Sequence, residues 1–506
     1  MKKKRFNNGG SAAIFVKFIV FTAISLGSCK KSETGKAHTA TLAGTAVNPT
    51  ANADSAYNGF LNAFLVKSGG KTYIANGLVD RGEAYMWGQG FMITAVEDAY
   101  DRSNSAYRKQ VVSDLLTTFI TDNESNWSWD SWNDDVAWAI IPFIRGYQIT
   151  GNTNYLTIAT QNWNMAWSRG WDNVTGGGLW ENQDKFSKAA LSNDPYIISG
   201  CFIYEATKDT IYLARCKQIY TWVRASLFDP ATGVVNEALT NTGTLQPSDN
   251  AYNCGSFINA AASLYKETKD ARYLADAQTA ADHIVSKFGV MNQEADACVR
   301  AIAKLARENN LENKYYPWLV RQCIASWVNR RTDYDISNND WRNPTPAGEQ
   351  YAMQCVSAVT VEAVTPESPM ITCPNGVYKV ISRDNGQALD ANGTNDNTPL
   401  AVSAYNNSNS QHWALTSIGG GLYKLIGVSS GKSVNISGNS GDDNAPIILW
   451  DYNSAANELV YLSSPAAGYY SMFFVTSGKA VTVASGSIIQ SAYTGTNNQQ
   501  WQFLKP

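Results

Sequence analysis

Histidine and charged residues are both scarce in this chain of 506 residues. Only three histidines are present, so a catalytic triad of serine, histidine and aspartate is not expected. Asp, Glu, Lys and Arg together make up 16% of the chain, below the fraction of about a quarter that is typical of soluble domains. The formal net charge is -3, which leaves no basic excess of the kind that nucleic-acid binding uses. We therefore expect no nucleic-acid partner.

The eight cysteines show no spacing that indicates a metal site. No pair is separated by two residues and none lies in a cluster with histidine, so we expect no bound metal and no other cofactor. Apart from Cys29 there are seven, and an odd number leaves at least one thiol without a partner in the chain. We expect most of the seven to be buried as small hydrophobic side chains. They are Cys201, Cys216, Cys254, Cys298, Cys323, Cys355 and Cys373.

The N-terminus has the pattern of a bacterial signal peptide. Basic residues at 2–5 precede the apolar stretch 18–26, which is too short to span a bilayer as a finished helix. The stretch ends in Leu26-Gly27-Ser28-Cys29, which resembles a bacterial lipobox. The resemblance implies cleavage before Cys29, lipidation of that residue and anchoring in the bacterial cell envelope, with the outer membrane as the expected location. An ordinary signal peptide with a chance cysteine is the alternative.

Changes in composition along the chain predict five segments. Small polar residues follow the signal peptide, a long helical region comes next, and prolines then separate it from a region rich in Gly, Ser and Asn. The segments are a signal peptide at 1–29, a flexible tether at 30–54, a helical domain at 55–362, a linker at 363–374 and a β domain at 375–506.

Two adjacent aspartates, Asp134 and Asp135, lie among tryptophans in the segment 129–138. Adjacent carboxylates repel each other, and a site that must keep one carboxyl ionised and another protonated would use such a pair. Aromatic rings beside the pair offer flat apolar platforms that suit sugar rings. The chain has 16 Trp and 26 Tyr, which favours a secreted protein that binds neutral polar ligands such as carbohydrate. The alternative is a pair of carboxylates at a helix N-terminus, and both interpretations can hold together.

An internal repeat divides the helical region. The motifs Thr150-Gly151-Asn152, Thr207-Lys208-Asp209 and Thr268-Lys269-Asp270 each precede a Tyr-Leu pair, about one helical hairpin apart. Each motif predicts a short turn between antiparallel helices, with Asn or Asp polar in the turn and Tyr-Leu packed inward. Five or six such hairpins predict a closed (α/α)6 barrel.

Three aligned copies of a shorter repeat fill the C-terminal region. Each copy is rich in Gly, Ser, Asn and β-branched residues, with short alternating strands. The copies begin at Tyr378, Tyr423 and Tyr470 and end near Trp413, Val460 and Trp501. Two of the three endings read Gln-x-Trp, and the repetition in register predicts an all-β β-trefoil.

With these motifs, most of residues 55–310 resemble glycoside hydrolase family 76, whose members are endo-α-1,6-mannanases. The resemblance implies an (α/α)6 barrel and hydrolysis with retention of anomeric configuration. It rests on Asp134-Asp135 with Trp138, the repeated Thr-containing turns, Gly176-Gly177-Gly178 with Trp180, the run from Lys188 to Asn193, and Tyr252-Asn253-x-Gly255.

The resemblance implies that Asp134 is the nucleophile and Asp135 the general acid/base. Retaining hydrolysis needs two carboxyls about 5–5.5 Å apart, and neighbouring Cα atoms lie about 3.8 Å apart, so adjacent side chains can meet this requirement. The residues alone leave open which aspartate takes which role. The expected substrate-binding residues are Trp132, Asn133, Trp180, Lys188, Asn193, Tyr252 and Asn253.

The sequence departs from the family pattern at two places. Cys254 stands where a glutamine usually precedes the glycine of the Tyr-Asn-x-Gly motif. Residues 296–300 keep only the arginine, Arg300, of a later family segment. Both departures concern contacts to the sugar and leave the aspartate pair unchanged.

The C-terminal region resembles ricin-type lectin modules, close to carbohydrate-binding module family 13. Lobes of such modules bind a sugar through an aspartate, an aromatic ring and an asparagine before Gln-x-Trp. The first lobe keeps Asp390, whereas the second has Asn435, the ring of Trp450 and Asn457. The second lobe is the best sugar-binding candidate because it keeps the stacking ring.

Together these features predict a lipid-anchored, retaining endo-α-1,6-mannanase with a sugar-binding trefoil. The expected partners are an α-mannan polysaccharide and, through the lipid, a membrane; a monomer is expected. Two alternatives stay open: an endohydrolase of another α-linked glycan, and a catalytically inactive surface lipoprotein that binds glycan.

Overall fold

The computed structural model describes residues 49–365, 373–419 and 422–506. These residues form a helical domain followed by a β domain. The predicted signal peptide, its lipidation site Cys29 and most of the predicted tether lie outside the described residues. No helix in the described ranges combines the length and the apolar character that a membrane crossing requires.

Twelve α-helices make up the described part of the helical domain. Six of them form an inner ring, six pack around it, and the two sets alternate along the chain. The inner helices are α2 (Met86–Ser103), α4 (Asn133–Thr150), α6 (Asp194–Thr207), α8 (Ala251–Thr268), α10 (Asp296–Glu308) and α12 (Ala352–Val364). The outer helices are α1 (Pro49–Phe64), α3 (Ala106–Asn123), α5 (Thr153–Gly170), α7 (Thr210–Ser226), α9 (Ala271–Lys287) and α11 (Glu312–Val328). Each inner helix packs against the next, and α12 packs against α2, which closes the predicted (α/α)6 barrel.

The two rings differ in how their side chains are buried. Inner helix α4 is buried along most of its length, from Val136 to Gly146. Outer helix α9 buries only one face, with Tyr273, Ala277 and Ile284 on the same stripe and charged residues opposite. This stripe has the spacing of an amphipathic helix that covers a core on one side. Burial of the inner ring on all sides therefore requires the outer ring.

The repeated Thr-containing motifs are the turns from inner to outer helices, as predicted. Gly151, Lys208 and Lys269 adopt the left-handed conformation that ends each inner helix. Asn152 then caps the next outer helix by accepting a hydrogen bond from the N–H of Asn154, and Asp209 and Asp270 act in the same way. The tyrosines that follow are buried. These turns are only two residues long and lie at the end of the barrel where the inner helices finish.

The first helix begins earlier than the predicted domain boundary at residue 55. Helix α1 starts at Pro49, and proline fits the first helical position because its missing N–H has no partner there anyway. Ala53, Ala56 and Tyr57 are buried against the barrel. Residues 49–54 therefore belong to the helical domain and not to the tether predicted at 30–54.

Among the described residues, five short strands lie in the helical domain and twelve strands form the β domain. The first group is β1 (Leu65–Ser68), β2 (Lys71–Ile74), β3 (Ser187–Ala189), β4 (Ala238–Thr240) and β5 (Leu245–Gln246). The second group is β6 (Gly376–Ser382), β7 (Ala388–Asp390), β8 (Ala401–Ser403), β9 (His412–Gly419), β10 (Leu422–Gly427), β11 (Ser433–Ile436), β12 (Ile447–Trp450), β13 (Leu459–Ala466), β14 (Tyr469–Phe474), β15 (Ala480–Ala484), β16 (Ser487–Ser491) and β17 (Trp501–Leu504).

The three predicted copies of the β domain pair in the same register. Tyr378 lies opposite Trp413, Tyr423 opposite Val460, and Tyr470 opposite Trp501. The second member of each pair is buried in a common core. In the first and third copies the indole N–H donates to a backbone carbonyl of another strand of the same copy, β7 or β15, at 2.9 Å and 3.1 Å. This threefold repetition is that of a β-trefoil, which confirms the predicted fold class.

The β domain packs against outer helix α11. Ile324 and Trp327 form an apolar cluster with Tyr461 and Phe473 of the β domain. Beside the cluster, buried Arg321 donates from Nε to the hydroxyl of Tyr461 at 2.9 Å, and its guanidinium lies 5.3 Å from the ring centre of Phe473. The contact residues lie in the second half of α11, toward the end of the barrel at which the inner helices begin.

Candidate active site

The candidate active site lies at the end of the barrel where the inner helices begin. Connections at this end are long, in contrast to the two-residue turns at the other end. They comprise residues 65–85, 124–132, 171–193, 227–250, 288–295 and 329–351. Strand β3 of the third connection pairs with β4 of the fourth, so two of these connections are fixed to each other. Long connections on a rigid barrel are the usual place for binding residues.

Asp134 and Asp135 occupy the first turn of inner helix α4. The Asp135 side chain is buried, at 3% exposure, whereas Asp134 is half-buried. Asp134 Oδ1 and Asp135 Oδ2 each lack a hydrogen-bond partner among the described residues. A buried polar atom without a partner is costly to stability and is often retained for function. The two aspartates therefore lie at a helix N-terminus, as one of the two interpretations predicted. Their catalytic role stays a prediction.

Burial raises the pKa of both aspartates. For Asp135 the charge of Asp134 adds to burial and raises the pKa to about 10. For Asp134 burial and then repulsion from Glu181 raise the pKa, whereas backbone N–H groups at the start of α4 oppose this. Because the two carboxyls cannot easily ionise together, the pair favours a single negative charge and one retained proton.

Two further carboxylates, Asp130 and Glu181, lie beside the pair and were not assigned from the sequence. Asp130 Oδ1 accepts from the N–H of Trp132 at 2.9 Å, and its Oδ2 accepts from the hydroxyl of Tyr85 at 3.2 Å. Both carboxylates raise the pKa of Asp135. A signal was present in the local sequence, since Asp130 precedes Asp134 by four residues and Glu181 directly follows Trp180.

Asn133 and Asn193, both predicted to bind substrate, are buried with their amides occupied by the protein. Asn133 Nδ2 donates to the carbonyl of Trp180 at 2.7 Å, and its Oδ1 accepts from Arg169 at 2.7 Å. Asn193 accepts from the N–H of Leu179 at 2.7 Å and donates to two carbonyls. Asn133 thus ties the connection 171–193 to the start of α4, and Asn193 joins two parts of that connection. Direct binding of sugar by them stays a prediction.

Lys188 and Trp180 hold the glycine-rich segment in place. Lys188 is fully buried; its ammonium donates to Asp172 Oδ1 at 2.9 Å and to the carbonyl of Gly177 at 2.5 Å, and it lies 4.5 Å from the Trp180 ring centre. Buried Trp180 donates from its indole to Asp172 Oδ2 at 2.6 Å. Partial burial opposes ionisation of Asp172, but the hydrogen bonds from Trp180 and Lys188 lower its pKa. Gly178 has φ +81° and faces the Trp222 ring so closely that a Cβ would overlap it.

Tyr252 and Asn253 open inner helix α8 and meet another carboxylate, Glu237. Asn253 Nδ2 donates to Glu237 Oε2 at 2.9 Å, and the hydroxyl of Tyr252 lies 3.4 Å from the same oxygen. Asn253 Oδ1 is buried without a partner in the described structure. The neighbouring Cys254, at which the sequence departs from the family pattern, is fully buried and its thiol lies 3.8 Å from the carbonyl of Gly233. The substrate-binding role of Tyr252 and Asn253 stays a prediction.

Exposed aromatic side chains are concentrated at this end of the barrel. Six aromatic side chains of the described residues are exposed, and five of them lie in the long connections. These five are Tyr85, Trp129, Phe186, Tyr334 and Tyr351, whereas the sixth is Tyr107 at the start of α3. Most tryptophans of the segment 127–180 are instead structural; Trp163, Trp167 and Trp171 stack along α5 at ring-centre distances of 5.8 and 4.6 Å. Trp132 is half-buried beside the pair.

In the β domain, the predicted sugar contacts of the second lobe bond to one another. Asn435 is buried; it donates to Glu458 at 3.2 Å and accepts from Asn457 at 2.9 Å. Trp450 is half-buried. In the first lobe, Asp390 Oδ2 accepts from Ser403 at 2.6 Å. Sugar binding by either lobe stays a prediction.

No group of three or more His, Cys, Asp or Glu side chains within the described ranges could hold a metal ion. All seven described cysteines are free, and all are buried, as was predicted for most of them.

A helical barrel with paired carboxylates at its mouth, joined to a β-trefoil, defines a modular carbohydrate-active protein. The chain belongs to glycosyl hydrolase family 76, whose model matches residues 50–365. The model of ricin-type β-trefoil lectin domain-like sequences matches residues 370–450. A comparison with the curated proteins finds no match.

Several solved structures share the fold of the helical domain. An alpha-1,6-mannanase of Salegentibacter sp. HEL1_6 has 24% sequence identity and a TM-score of 0.58, with 63% of this chain and 99% of that chain covered. A variant of that enzyme with two consecutive aspartates replaced by asparagine is described as inactive and is in complex with alpha-1,6-mannotriose; its identity is 23%, its TM-score 0.58, and the coverage is the same. A family 76 glycoside hydrolase (mannosidase) of Bacteroides thetaiotaomicron has 21% identity and a TM-score of 0.56, with 62% and 97% covered.

Proposed function

We propose that this protein is a retaining endo-α-1,6-mannanase. The observation that carries the proposal is the adjacent pair Asp134 and Asp135 in the first turn of an inner helix, with one carboxyl oxygen of each unpartnered among the described residues. Membership of glycosyl hydrolase family 76 supports glycoside hydrolysis. The relative that loses activity when two consecutive aspartates are replaced, and that holds alpha-1,6-mannotriose, supports the linkage.

The proposed mechanism has two displacements at the anomeric carbon. Asp134 attacks that carbon while Asp135 donates its proton to the departing glycosidic oxygen, which gives a mannosyl ester on Asp134. Asp135 is then ionised and takes a proton from water as the water attacks the anomeric carbon and releases Asp134. Each displacement inverts the configuration, so the product keeps the α-configuration of the substrate.

Electrostatics support the role of Asp135 as the proton donor. Asp135 must carry a proton at neutral pH, and its pKa is raised to about 10 by burial and by the charge of Asp134. Asp134 must be ionised to attack; burial and the charge of Glu181 raise its pKa, and backbone N–H groups at the start of α4 oppose this by favouring its charged form. The raised pKa belongs to the free pair, so binding of a sugar between the two carboxyls would change both values.

The first test measures release of reducing ends from unbranched α-1,6-mannan. We expect Asp134→Asn and Asp135→Asn each to lower kcat by about a thousandfold or more, because each removes a group that acts on the reacting bond. Asp184→Asn is the matched control, since Asp184 is an exposed aspartate of the connection 171–193. Wild-type rates in either of the first two variants would contradict the mechanism.

A second test separates the two roles by adding azide to an aryl α-mannoside with a good leaving group. Asp135→Ala still forms the ester on Asp134, and azide should then give the α-mannosyl azide. Asp134→Ala cannot form the ester, so direct attack by azide should give the β-mannosyl azide. The opposite pair of products would exchange the two assignments.

Two accessory roles complete the proposal. The lipobox-like ending at Cys29 supports a lipid anchor in the bacterial outer membrane; a Cys29→Ala variant that labels with palmitate as the wild type does would contradict it.

The match to ricin-type lectin domains supports carbohydrate binding by the trefoil. Equal retention of wild type and Trp450→Ala on insoluble mannan would argue against the second lobe as the binding site.

A further inference from the structure

A second cavity opens at the end of the barrel opposite to the catalytic pair. Its volume is about 310 Å³, and its lining runs from early turns of the inner helices, at Gly255 and Ala297, to later turns, at Arg145 and Gln148 of α4. Arg145 follows Asp135 by ten residues, which corresponds to about 15 Å along a helix. The rings of Phe91 and Trp138, with centres 4.3 Å apart, lie at the inner end of the cavity. The charged end of the cavity is therefore distant from the aspartates, whereas Trp138 at its inner end lies one helical turn from them.

Positive charge exceeds negative charge in the lining. Six cationic side chains line the cavity, against four carboxylates. The cations are Arg102, Arg145, Lys266, Arg300, Lys304 and Arg307. Three of them form ion pairs with lining carboxylates: Arg145 and Arg300 both contact Asp98, at 2.8 and 2.7 Å, and Lys266 contacts Glu205 at 2.7 Å.

Lys304 differs from these because its ammonium has only neutral partners. It donates to Ser263 Oγ at 2.8 Å and to Asn259 Oδ1 at 3.3 Å, and it lies 5.1 Å from the ring centre of Phe202. No carboxylate of the described residues lies within ion-pair distance of it. Burial lowers the pKa of Lys304 below its ordinary value. At the mouth, Arg307 is exposed and likewise has no ion pair with a described carboxylate.

A purely structural explanation accounts for one of the cations but not for Lys304. Six inner helices end near the cavity, and cations stabilise helix C-termini. Arg102 has this role, since it donates to the carbonyls of Glu362 and Thr365 at the end of α12. Lys304 contacts side chains of α8 and no terminal carbonyl, so helix ends do not explain its position.

We propose that this cavity binds a small molecule that carries a phosphate or a carboxylate, with Lys304 as its charged contact and Arg307 at the entrance. The volume lies at the lower limit of small-molecule sites, which is about 300 Å³. Glu308 and Glu205 favour the charged form of Lys304 only from beyond ion-pair distance. An anion in the cavity would give the Lys304 ammonium a direct ion pair, and charge-assisted hydrogen bonds of this kind are among the stronger ones. The site is independent of the proposed hydrolase function.

The test is calorimetric titration of the full-length mature protein without any glycan. Inorganic phosphate and succinate are the two probes, and their comparison distinguishes a phosphate site from a carboxylate site; mannose is the neutral control. We expect one of the two anions to bind with a stoichiometry of one, and Lys304→Met to weaken that binding about tenfold or more. Lys314 is an exposed lysine on the adjacent outer helix, so the control variant Lys314→Met should bind the anion as the wild type does.

A second variant protects the test against a folding defect in Lys304→Met. Arg307→Gln changes an exposed side chain and should weaken anion binding about threefold. Two results would overturn the proposal: no binding of either anion to the wild type at tens of millimolar, or equal affinity in the wild type, Lys304→Met and Arg307→Gln.

Discussion

Asp135 combines two properties that conflict in a folded protein. Its side chain is buried and one oxygen has no partner among the described residues, yet the proposed mechanism needs it to lose and regain a proton. Burial of a carboxyl favours its neutral form. The same environment that prepares Asp135 to donate a proton therefore makes its ionisation destabilising.

This conflict predicts a pH-dependent stability difference between the wild type and Asp135→Asn. In the unfolded chain Asp135 ionises near its ordinary value of about 4, whereas in the folded chain its pKa is raised to about 10. Between these values the native state holds the extra proton, so stability falls as pH rises. Asparagine removes this loss, and we expect the variant to be more stable by about 1–3 kcal/mol at pH 8 and nearly equal at pH 4.

Urea unfolding at several pH values measures this difference directly. Asp184→Asn is the control, because exposed Asp184 should give no pH-dependent change. A stability gain for Asp135→Asn that is the same at every pH would show that the charge of Asp135 is not its cause.

At the scale of elements, the connections at the mouth carry most of the exposed aromatic rings, and inner helix α4 carries Asp134 and Asp135. Five of the six exposed aromatic side chains of the described residues lie in connections that precede inner helices. Flat apolar rings at a water-exposed mouth suit the apolar faces of sugar rings. The connections thus surround the proposed catalytic pair with apolar surface, while the barrel positions the pair.

We expect Phe186→Ala to raise KM for α-1,6-mannan about threefold to tenfold with little change in kcat, because lost stacking removes binding that is uniform along the reaction. Tyr107→Ala is the matched control: Tyr107 is 57% exposed against 59% for Phe186, but it lies at the opposite end of the barrel. Initial rates over a range of mannan concentrations give both constants. Equal KM values for the two variants would remove Phe186 from the binding surface.

Local sequence was enough to predict the turns and the two repeats. Thr150-Gly151-Asn152 contains its own helix end and its own cap, so its conformation depends on neighbours in sequence. The roles of Lys188 and Trp180 depend on Asp172, and the fixed position of Asn133 depends on Arg169, which lies 36 residues away. A polar residue type indicates that a side chain forms hydrogen bonds, but only the fold decides whether protein or sugar is the partner. For this reason the aspartates could be assigned from sequence with more detail than their supporting residues.

At the scale of the whole molecule, the trefoil and the barrel share an apolar contact that fixes one to the other. Arg321 is buried in this contact and depends on the hydroxyl of Tyr461 as one of its hydrogen-bond acceptors. Removing an acceptor from a buried charged donor costs about 1–3 kcal/mol or more. The contact also brings the trefoil toward the catalytic end of the barrel, because it involves the second half of α11.

We expect Tyr461→Phe to weaken this contact and lower the unfolding temperature of the β domain, with kcat on soluble mannan unchanged. Calorimetric unfolding of the full chain is the measurement, and separation of one transition into two would be the clearest sign. Tyr107→Phe, a change in an exposed tyrosine of the barrel, is the control. An unfolding profile identical to that of the wild type would show that the two domains do not stabilise each other through Arg321.

The unequal ends of the barrel have a consequence for how such a protein can diversify. At one end, two-residue turns with built-in caps fix the length and order of the hairpins, so insertions there would disturb every neighbouring helix. At the other end, connections of up to 24 residues can lengthen or exchange without changing how the ring closes. Descendants of one ancestral barrel can therefore acquire new sugar preferences through segments such as 227–250 while inheriting the catalytic pair unaltered.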